Sequence, residues 1–499
     1  LSSATPINRE HAAAAGVRHY ALLFAACVLF HVLDTWSLPL VDRDEPRFVE
    51  ASREMIARGD YIVPHFNNQY RFDKPPLAYW AQVASFRIFG ENDFAARFPS
   101  IIAAALTALS IFAWGFRIGG TRVAWWAAII FTLSLQVFLH AKAAVADMWL
   151  VLFVTTAHWA GYELISNQRT PNAEHATPNA ESKWWWMFYV SLALGFLAKG
   201  PIGLIPLLTV VATQLQDRQV DSRKRLAFAR GLLLTLVVIS IWAIPAYLQT
   251  NGQFWRVGVG RHVIARSFGA MEGHGGSSLL VYFLLIPFYF ITVFVSFFPW
   301  SIKLPWLAKR VWPSRDKIDN YLLAGSAIVF LVFTLIATKL PHYTLPAFPL
   351  LSLLLARQLV TTEFPLRRFK VISIATAAVW ICAALLVPPL IAPAFPAKAL
   401  FNASRSDLRP EMEFGAVDYN EPSLVWYFRS RVRGWMNYLD GDSAKSFMEK
   451  AGPRFVIIPT SLVADSFPNL PSTWKTFSAR GFNIAKGKHV DLTLVLKPE

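Results

Sequence analysis

Residues 20–40 begin as an apolar run, Tyr20-Ala21-Leu22-Leu23-Phe24-Ala25-Ala26-Cys27-Val28-Leu29-Phe30, and lead directly into Val41-Asp42-Arg43-Asp44-Glu45-Pro46-Arg47-Phe48. A membrane-spanning helix needs about 20 apolar residues. Ten further runs meet or approach that length, at 96–116, 123–140, 145–164, 184–198, 201–215, 229–248, 278–300, 320–337, 343–359 and 370–391. The spacing predicts a polytopic α-helical membrane protein with about eleven spans, and up to about thirteen if runs divide. The run 278–300 is long and contains Pro287. No small-residue cleavage site follows the first run, so it reads as an anchor.

Composition agrees. The chain has 499 residues, 55% hydrophobic and only 16% charged, which excludes disordered, collagen-like and disulfide-stapled classes. Its net charge of +16 comes with long apolar runs, so the partner is the anionic face of a membrane and not nucleic acid. Cys27 and Cys382 each lie in an apolar run with no CxxC pairing, and neither a metal thiolate site nor a disulfide framework is expected.

Loop charges set the orientation. With a cytoplasmic tail over 1–19, the inner loops carry Arg117 to Arg122, Arg218 to Arg225, Lys303 to Lys317 and Arg367 to Lys370. The short outer loops carry isolated cations, and that asymmetry places the N-terminus inside. The Ser-, Asn- and Pro-rich stretch 166–182 reads as a cytoplasmic linker. The transmembrane domain covers 20–391. An odd number of spans puts residues 392–499 outside, where charges return. Phe455-Val456-Ile457-Ile458 and Val490-Asp491-Leu492-Thr493-Leu494-Val495 read as strands, and Glu421 to Arg433 as helical. This segment is expected to be a soluble α/β domain with its own core.

The first outer loop, 41–95, holds the most unusual residues. Phe48, Ala51, Met55 and Ile56 fall on one helical face, and Arg47, Glu50, Arg53 and Glu54 on the other, which predicts an amphipathic helix lying on the outer membrane surface. Asp44 has two readings: a cap for that helix, or a reactive carboxylate. Further on, Arg71-Phe72-Asp73-Lys74-Pro75-Pro76 makes a stiff break before a second amphipathic helix that ends near Gly90 and is too short to span. Lys74 either snorkels towards lipid phosphates or is a fixed cation for a phosphorylated ligand. Asp147 opens the fourth span, where a carboxylate caps the helix or faces a cavity or a partner. Lys199-Gly200-Pro201, Arg261-His262 through Arg266, and Lys339-Leu340-Pro341-His342-Tyr343 sit at other outer span ends. Gathered on one membrane face, these groups point to an outward-facing pocket with acids and phosphate-binding cations.

Asp44-Glu45-Pro46-Arg47-Phe48, Gly59-Asp60-Tyr61-Ile62-Val63-Pro64 and Phe72-Asp73-Lys74-Pro75 together resemble the aminoarabinose lipid A transferases, bacterial relatives of the protein O-mannosyltransferases in the C-type glycosyltransferase superfamily. Asp147, Ala198-Lys199-Gly200, His262 with Arg266, and Lys339-Leu340-Pro341 with Tyr343 continue the resemblance in order. Asp73 stands where relatives often carry Glu, Arg261 where an acid is common, and His342 is not carried over.

The resemblance implies a C-type glycosyltransferase fold in the bacterial inner membrane, with its active site on the periplasmic side. It implies transfer of 4-amino-4-deoxy-L-arabinose from undecaprenyl phosphate to a lipid A phosphate. Asp44 and Asp147 are then the catalytic candidates. Lys74, Arg266, Tyr343 and Arg47 are the donor-lipid phosphate contacts, and Lys199 an acceptor contact. No cofactor is required, although Asp73 and His262 offer a carboxylate and an imidazole suited to a divalent ion such as zinc. The alternatives are a protein O-mannosyltransferase or another polyprenyl-phosphate-sugar transferase, and, from a different class, a transporter. Transporters tend to put ionisable groups near mid-bilayer in repeated halves, and here they cluster at span ends.

Overall fold

A computed structural model of the chain describes residues 16–166, 178–216, 226–265 and 279–499. The stretch 166–182 therefore lies largely outside the described residues, as does Arg266, and of His262 only the backbone is described.

Every one of the eleven apolar runs is occupied by helix. In chain order the first elements are α1 (Val17–Val32), α2 (Asp44–Arg58), α3 (Leu77–Phe89), α4 (Asp93–Leu133), α5 (Leu135–Ala141), α6 (Asp147–Ser166), α7 (Pro178–Lys199) and α8 (Ile205–Gln216). The helices Phe228–Gln249, Leu279–Leu284, Phe288–Ser296, Lys317–Leu335, Phe348–Thr361 and Leu366–Ile391 fill the remaining runs. Among the described residues, six helical stretches are long and apolar enough to cross a membrane. The protein is a multi-pass membrane protein.

Four runs differ from expectation in ways with local causes. The long run 278–300 is split at Pro287, where the missing N–H lets one helix end at Leu284 and the next begin at Phe288. α4 kinks at Gly120, whose φ of 77° only glycine adopts readily, so the runs 96–116 and 123–140 become one bent element followed by α5. The first run is helical only to Val32. At 1.5 Å per residue its 16 residues reach about 24 Å, and residues 33–40 continue as irregular chain.

Contacts divide the molecule into two compact units. One holds Leu1–His31, Ser100–Ala141 and Ala146–Val379; the other holds Val32–Pro99, Lys142–Val145 and Trp380–Glu499. In the first, α7 turns back into α8 through the 3-10 segment Gly200–Leu204. Gly200 takes φ 79°, and Gly203 lies so close to Gly195 that a Cβ there would meet backbone at 2.1 Å. This close approach fixes where Lys199 emerges.

The second unit joins the first loop to the C-terminal segment. β1 (His65–Phe66) and β2 (Gln69–Tyr70) form a small hairpin through Asn67 and Asn68, both at positive φ. β3 (Glu413–Val417), β4 (Met436–Leu439), β5 (Arg454–Pro459), β6 (Lys475–Asn483) and β7 (Lys488–Lys497) build one sheet in the order β4-β3-β5-β7-β6. β3 runs parallel to β4 and β5, with the helices Pro422–Phe428 and Gly441–Glu449 making the crossovers, while β7 is antiparallel to β5 and β6. β5 and β7 contain the two strands expected from sequence, and the helical reading of Glu421 to Arg433 shortens to Pro422–Phe428. One core packs Phe414, Phe455 and Leu494 with Trp426 and Phe428, and includes Leu40, just before the first loop, and Val49 and Phe86 within it. A smaller core packs Val456, Ile458 and Val495 against Phe447 and Met448.

α2 and α3 occur where the pattern placed them, α3 ending at Gly90. The environment of α2 is the correction. Glu50, Arg53 and Glu54, expected to face water, are buried. The C-terminal segment covers them: Arg429 pairs with Glu50 and lies 3.5 Å from Glu54, the Arg53 guanidinium sits 4.4 Å over Trp426, and Arg429 sits 3.6 Å over Trp435. Asn67 adds two bonds to the Met436 backbone.

Asp42 fastens the same helix from the other end. It accepts from the Ser423 N–H at 2.9 Å and from the Ser423 hydroxyl at 2.6 Å. Burial pushes its carboxyl up from 3.8 to about 7, against the opposing effect of these bonds. Between those values the folded protein binds more protons at Asp42 than the unfolded chain does. The contribution is therefore complete below 3.8 and is lost as pH rises through about 7. In detergent, the melting temperature of wild type should fall relative to Asp42→Asn as pH rises across this window. A pH-independent offset between the two proteins would refute the assignment.

Candidate functional site

Among the described residues, the predicted site residues fall into two clusters, one in each unit; Arg266 and the His262 side chain lie outside the described residues. The first is built on the start of α2 and on the Pro-bounded break before α3. Asp44 is the first residue of α2 and is exposed. The expected capping role is not seen: the residue at the cap position is Arg43, with no side-chain cap bond. Glu45, the next residue, points inward. It accepts from the N–H groups of Val41 and Ala144 at 2.8 and 2.7 Å and from Arg97 at 3.0 and 2.9 Å. Arg97 in turn donates to the carbonyls of Thr35, Leu38 and Pro39, which holds residues 33–40 off the helical path. Burial alone would raise the Glu45 carboxyl, but Arg97 and the two backbone donors hold it below its usual value.

Arg71 organises the remainder of this cluster. It is buried, donates to Tyr79 Oη at 3.0 Å and pairs with Asp73 at 2.9 Å. Its guanidinium lies 5.6 Å from the Phe48 ring, and Phe48 stacks on Tyr79. The charges of Asp73 and Asp44 both act on it. Lys74 follows Asp73 and is half-buried. Arg47, one helical turn beyond Asp44, is half-buried and acts on Asp42 and Tyr438. Arg71 was not among the residues expected from sequence. Its spacing was a usable signal: in non-helical chain, residues two apart share a face, as Arg71 and Asp73 do.

The second cluster draws on four elements. Asp147 is the first residue of α6, Lys199 ends α7, His140 lies at the end of α5, and His342 and Tyr343 lie in the 3-10 segment Pro341–Ala347. Lys199 Nζ is 2.5 Å from Asp147 Oδ1, with both side chains about nine-tenths buried. His342 Nε2 is 3.9 Å from the same oxygen, and the His140 and His342 rings lie 4.8 Å apart. Lys199 Nζ also sits 5.2 Å over the Tyr343 ring. Asp147, Lys199 and Tyr343 are thus brought together, and Arg47 is not part of this group. Lys339 serves the fold instead, because its ammonium donates to the carbonyls of Phe333, Thr334 and Ile336 and closes the end of the helix Lys317–Leu335. His140 and His342 carried no spacing signal, being lone histidines about two hundred residues apart.

Known proteins share the sequence and fold of this chain to differing extents. The dolichyl-phosphate-mannose-protein mannosyltransferase family matches residues 73–244. An undecaprenyl phosphate-alpha-4-amino-4-deoxy-L-arabinose arabinosyl transferase of Edwardsiella ictaluri is 30% identical over 344 residues, 67% of this chain and 58% of that protein. One from Yersinia pestis is 31% identical over 345 residues, again 67% and 58%. Among solved structures, ArnT from Cupriavidus metallidurans bound to undecaprenyl phosphate matches with a TM-score of 0.78 at 19% identity, covering 96% of this chain and 98% of that one. The oligosaccharyltransferase of Archaeoglobus fulgidus in its apo form matches at 0.51 and 13% identity, covering 92% and 69%. The chain spans 58% of the length of the curated relatives it matches. It is similar to these arabinosyl transferases in sequence, and its fold is the C-type glycosyltransferase fold, with a C-terminal sheet domain.

Proposed function

We propose that the protein is a lipid-linked-sugar glycosyltransferase that moves 4-amino-4-deoxy-L-arabinose from undecaprenyl phosphate to a phosphate of lipid A. The reaction takes place at the periplasmic face of the bacterial inner membrane. The observation that carries this reading is the sequence likeness to named arabinosyl transferases over two thirds of the chain. Acids and cations set at helix ends support it.

Glycosyl transfer builds positive charge on the sugar and negative charge on the departing phosphate. Lys74, Arg266 and Tyr343 hold the departing undecaprenyl phosphate, with Arg47 as a further donor-lipid contact, and fixed cations there gain value as the charge develops. Asp44 faces the anomeric centre and orients the incoming nucleophile. A lipid A phosphate is already ionised, so Asp44 does not need to remove a proton. The Asp147–Lys199 pair refines the roles drawn from sequence. The ammonium of the aminosugar can take the place of the Lys199 ammonium on Asp147, which frees Lys199 for the acceptor phosphate. A divalent ion such as zinc on Asp73 and His262 is an optional addition, because the leaving monophosphate already meets several cations.

A peptide hydroxyl as acceptor is the second reading, favoured by the mannosyltransferase match over residues 73–244; it would make Asp44 a true general base. Mass spectrometry of lipid A from cells with and without the protein decides. Aminoarabinose-bearing lipid A only in cells with the protein is the expected result. Unmodified lipid A with newly glycosylated peptide would replace this reading with the second.

A further inference from the structure

We propose that His140, Asp147 and His342 form a binding site for a zinc-class divalent cation, and that the cation displaces the Lys199 ammonium from Asp147. One potential ligand atom from each of the three side chains lies within 4.8 Å of the other two. Tetrahedral zinc with bonds of about 2.0 Å needs ligand atoms roughly 3.3 Å apart. Side-chain rotation of the two half-buried imidazoles is required to close that difference. Two imidazoles and one carboxylate are a donor set suited to zinc, and three protein ligands leave a fourth position open for water or a phosphate oxygen.

Two neighbours bear on the site. Gln136 lies one helical turn before His140, with its amide nitrogen 2.9 Å from His140 Nδ1. With the amide turned so that its oxygen accepts, Nδ1 carries the proton and Nε2 offers its lone pair, the outer-shell arrangement that fixes metal-binding histidines. The second neighbour is Lys199, which occupies the Asp147 oxygen at 2.5 Å. A divalent ion entering on that oxygen repels an ammonium beside it, so the metal competes with Lys199, and with the aminosugar ammonium, for Asp147. The inference rests on the placement of these side chains and not on the identity of the sugar or acceptor. It is separate from any ion on Asp73 and His262.

The test uses the full chain in detergent, stripped with chelator and titrated with zinc, and with cobalt for its visible spectrum. Wild type should bind cobalt with a tetrahedral spectrum. His140→Ala and His342→Ala should each weaken binding at least about tenfold, while Asp73→Ala leaves it unchanged. Lys199→Met should tighten binding, because the competitor is gone and the uncompensated Asp147 is left for the cation. Zinc should also raise the melting temperature of Lys199→Met but not of Lys199→Met/His342→Ala, a readout that loss of packing alone does not produce. Unchanged affinity in both histidine variants, or loss of binding in Asp73→Ala instead, would overturn the proposal. If either alanine variant fails to fold, the glutamine variant at the same position replaces it.

Discussion

Glu45→Gln should lose roughly 3–5 kcal/mol of stability, as expected when one partner of a buried ion pair is removed. The carboxylate receives four donors, two from Arg97 and one each from the Val41 and Ala144 backbones. A glutamine has one acceptor oxygen, so its NH2 would face N–H groups, and the Arg97 charge would remain buried without its counterion. Arg97 also holds three carbonyls of the chain leaving α1, so the damage extends to the entry into the first loop. Denaturation in detergent measures the loss. The carboxyl is depressed in the folded state, so its contribution is present above the unfolded value of 4.5 and is lost as pH falls through the lower folded value. Wild-type stability in the Glu45→Gln background would remove the residue from this role.

Asp44→Asn should have the opposite profile. The side chain is exposed, and a surface substitution of this kind usually changes stability by no more than about 0.5 kcal/mol. Its charge, however, faces the reacting centre in the proposed transfer, and removing a preorganised electrostatic contact of that type costs about 10²–10³ in rate. Sugar transfer to lipid A by the purified variant in detergent is the measurement, with the melting temperature as the control for folding. Full activity in a folded Asp44→Asn protein would end the catalytic assignment. The paired substitutions thus separate two adjacent acids, one supporting the loop and one exposed and proposed to meet the substrate.

The helical core was legible because span length and apolarity are local properties. Eleven runs were expected and each contains helix, with departures where Pro287, Gly120 or the carbonyls gathered by Arg97 intervene, among other local causes. The two long strands of the C-terminal sheet were legible for the same reason. The surroundings of α2 were not. A stripe holding Glu50, Arg53 and Glu54 reads as a wet face on any local criterion, and what buries it is supplied by Trp426 and Arg429.

The candidate site shows the same division. Asp44, Lys74, Asp147 and Lys199 stood out by type and position, with Asp147 read as a helix cap or as facing a cavity or a partner. The partner is Lys199, 52 positions away, and no spacing rule connects them. Arg71 passed unremarked beside the more unusual Asp73 and Lys74, although its contacts with Tyr79 and Asp73 make it the hub of that cluster. His140 and His342 become a pair only once α5 and the Pro341–Ala347 segment are folded.

The cover over α2 also has a consequence for biogenesis. Glu54 and Arg429 are separated by 375 positions, and synthesis proceeds from the N-terminus. The acids of the opening loop therefore leave the ribosome well before the arginine and tryptophans that enclose them. The platform carrying Asp44 reaches its finished form only after residues 426–435 have been made, so a nascent chain shorter than that holds the loop without its lid of aromatic and cationic side chains.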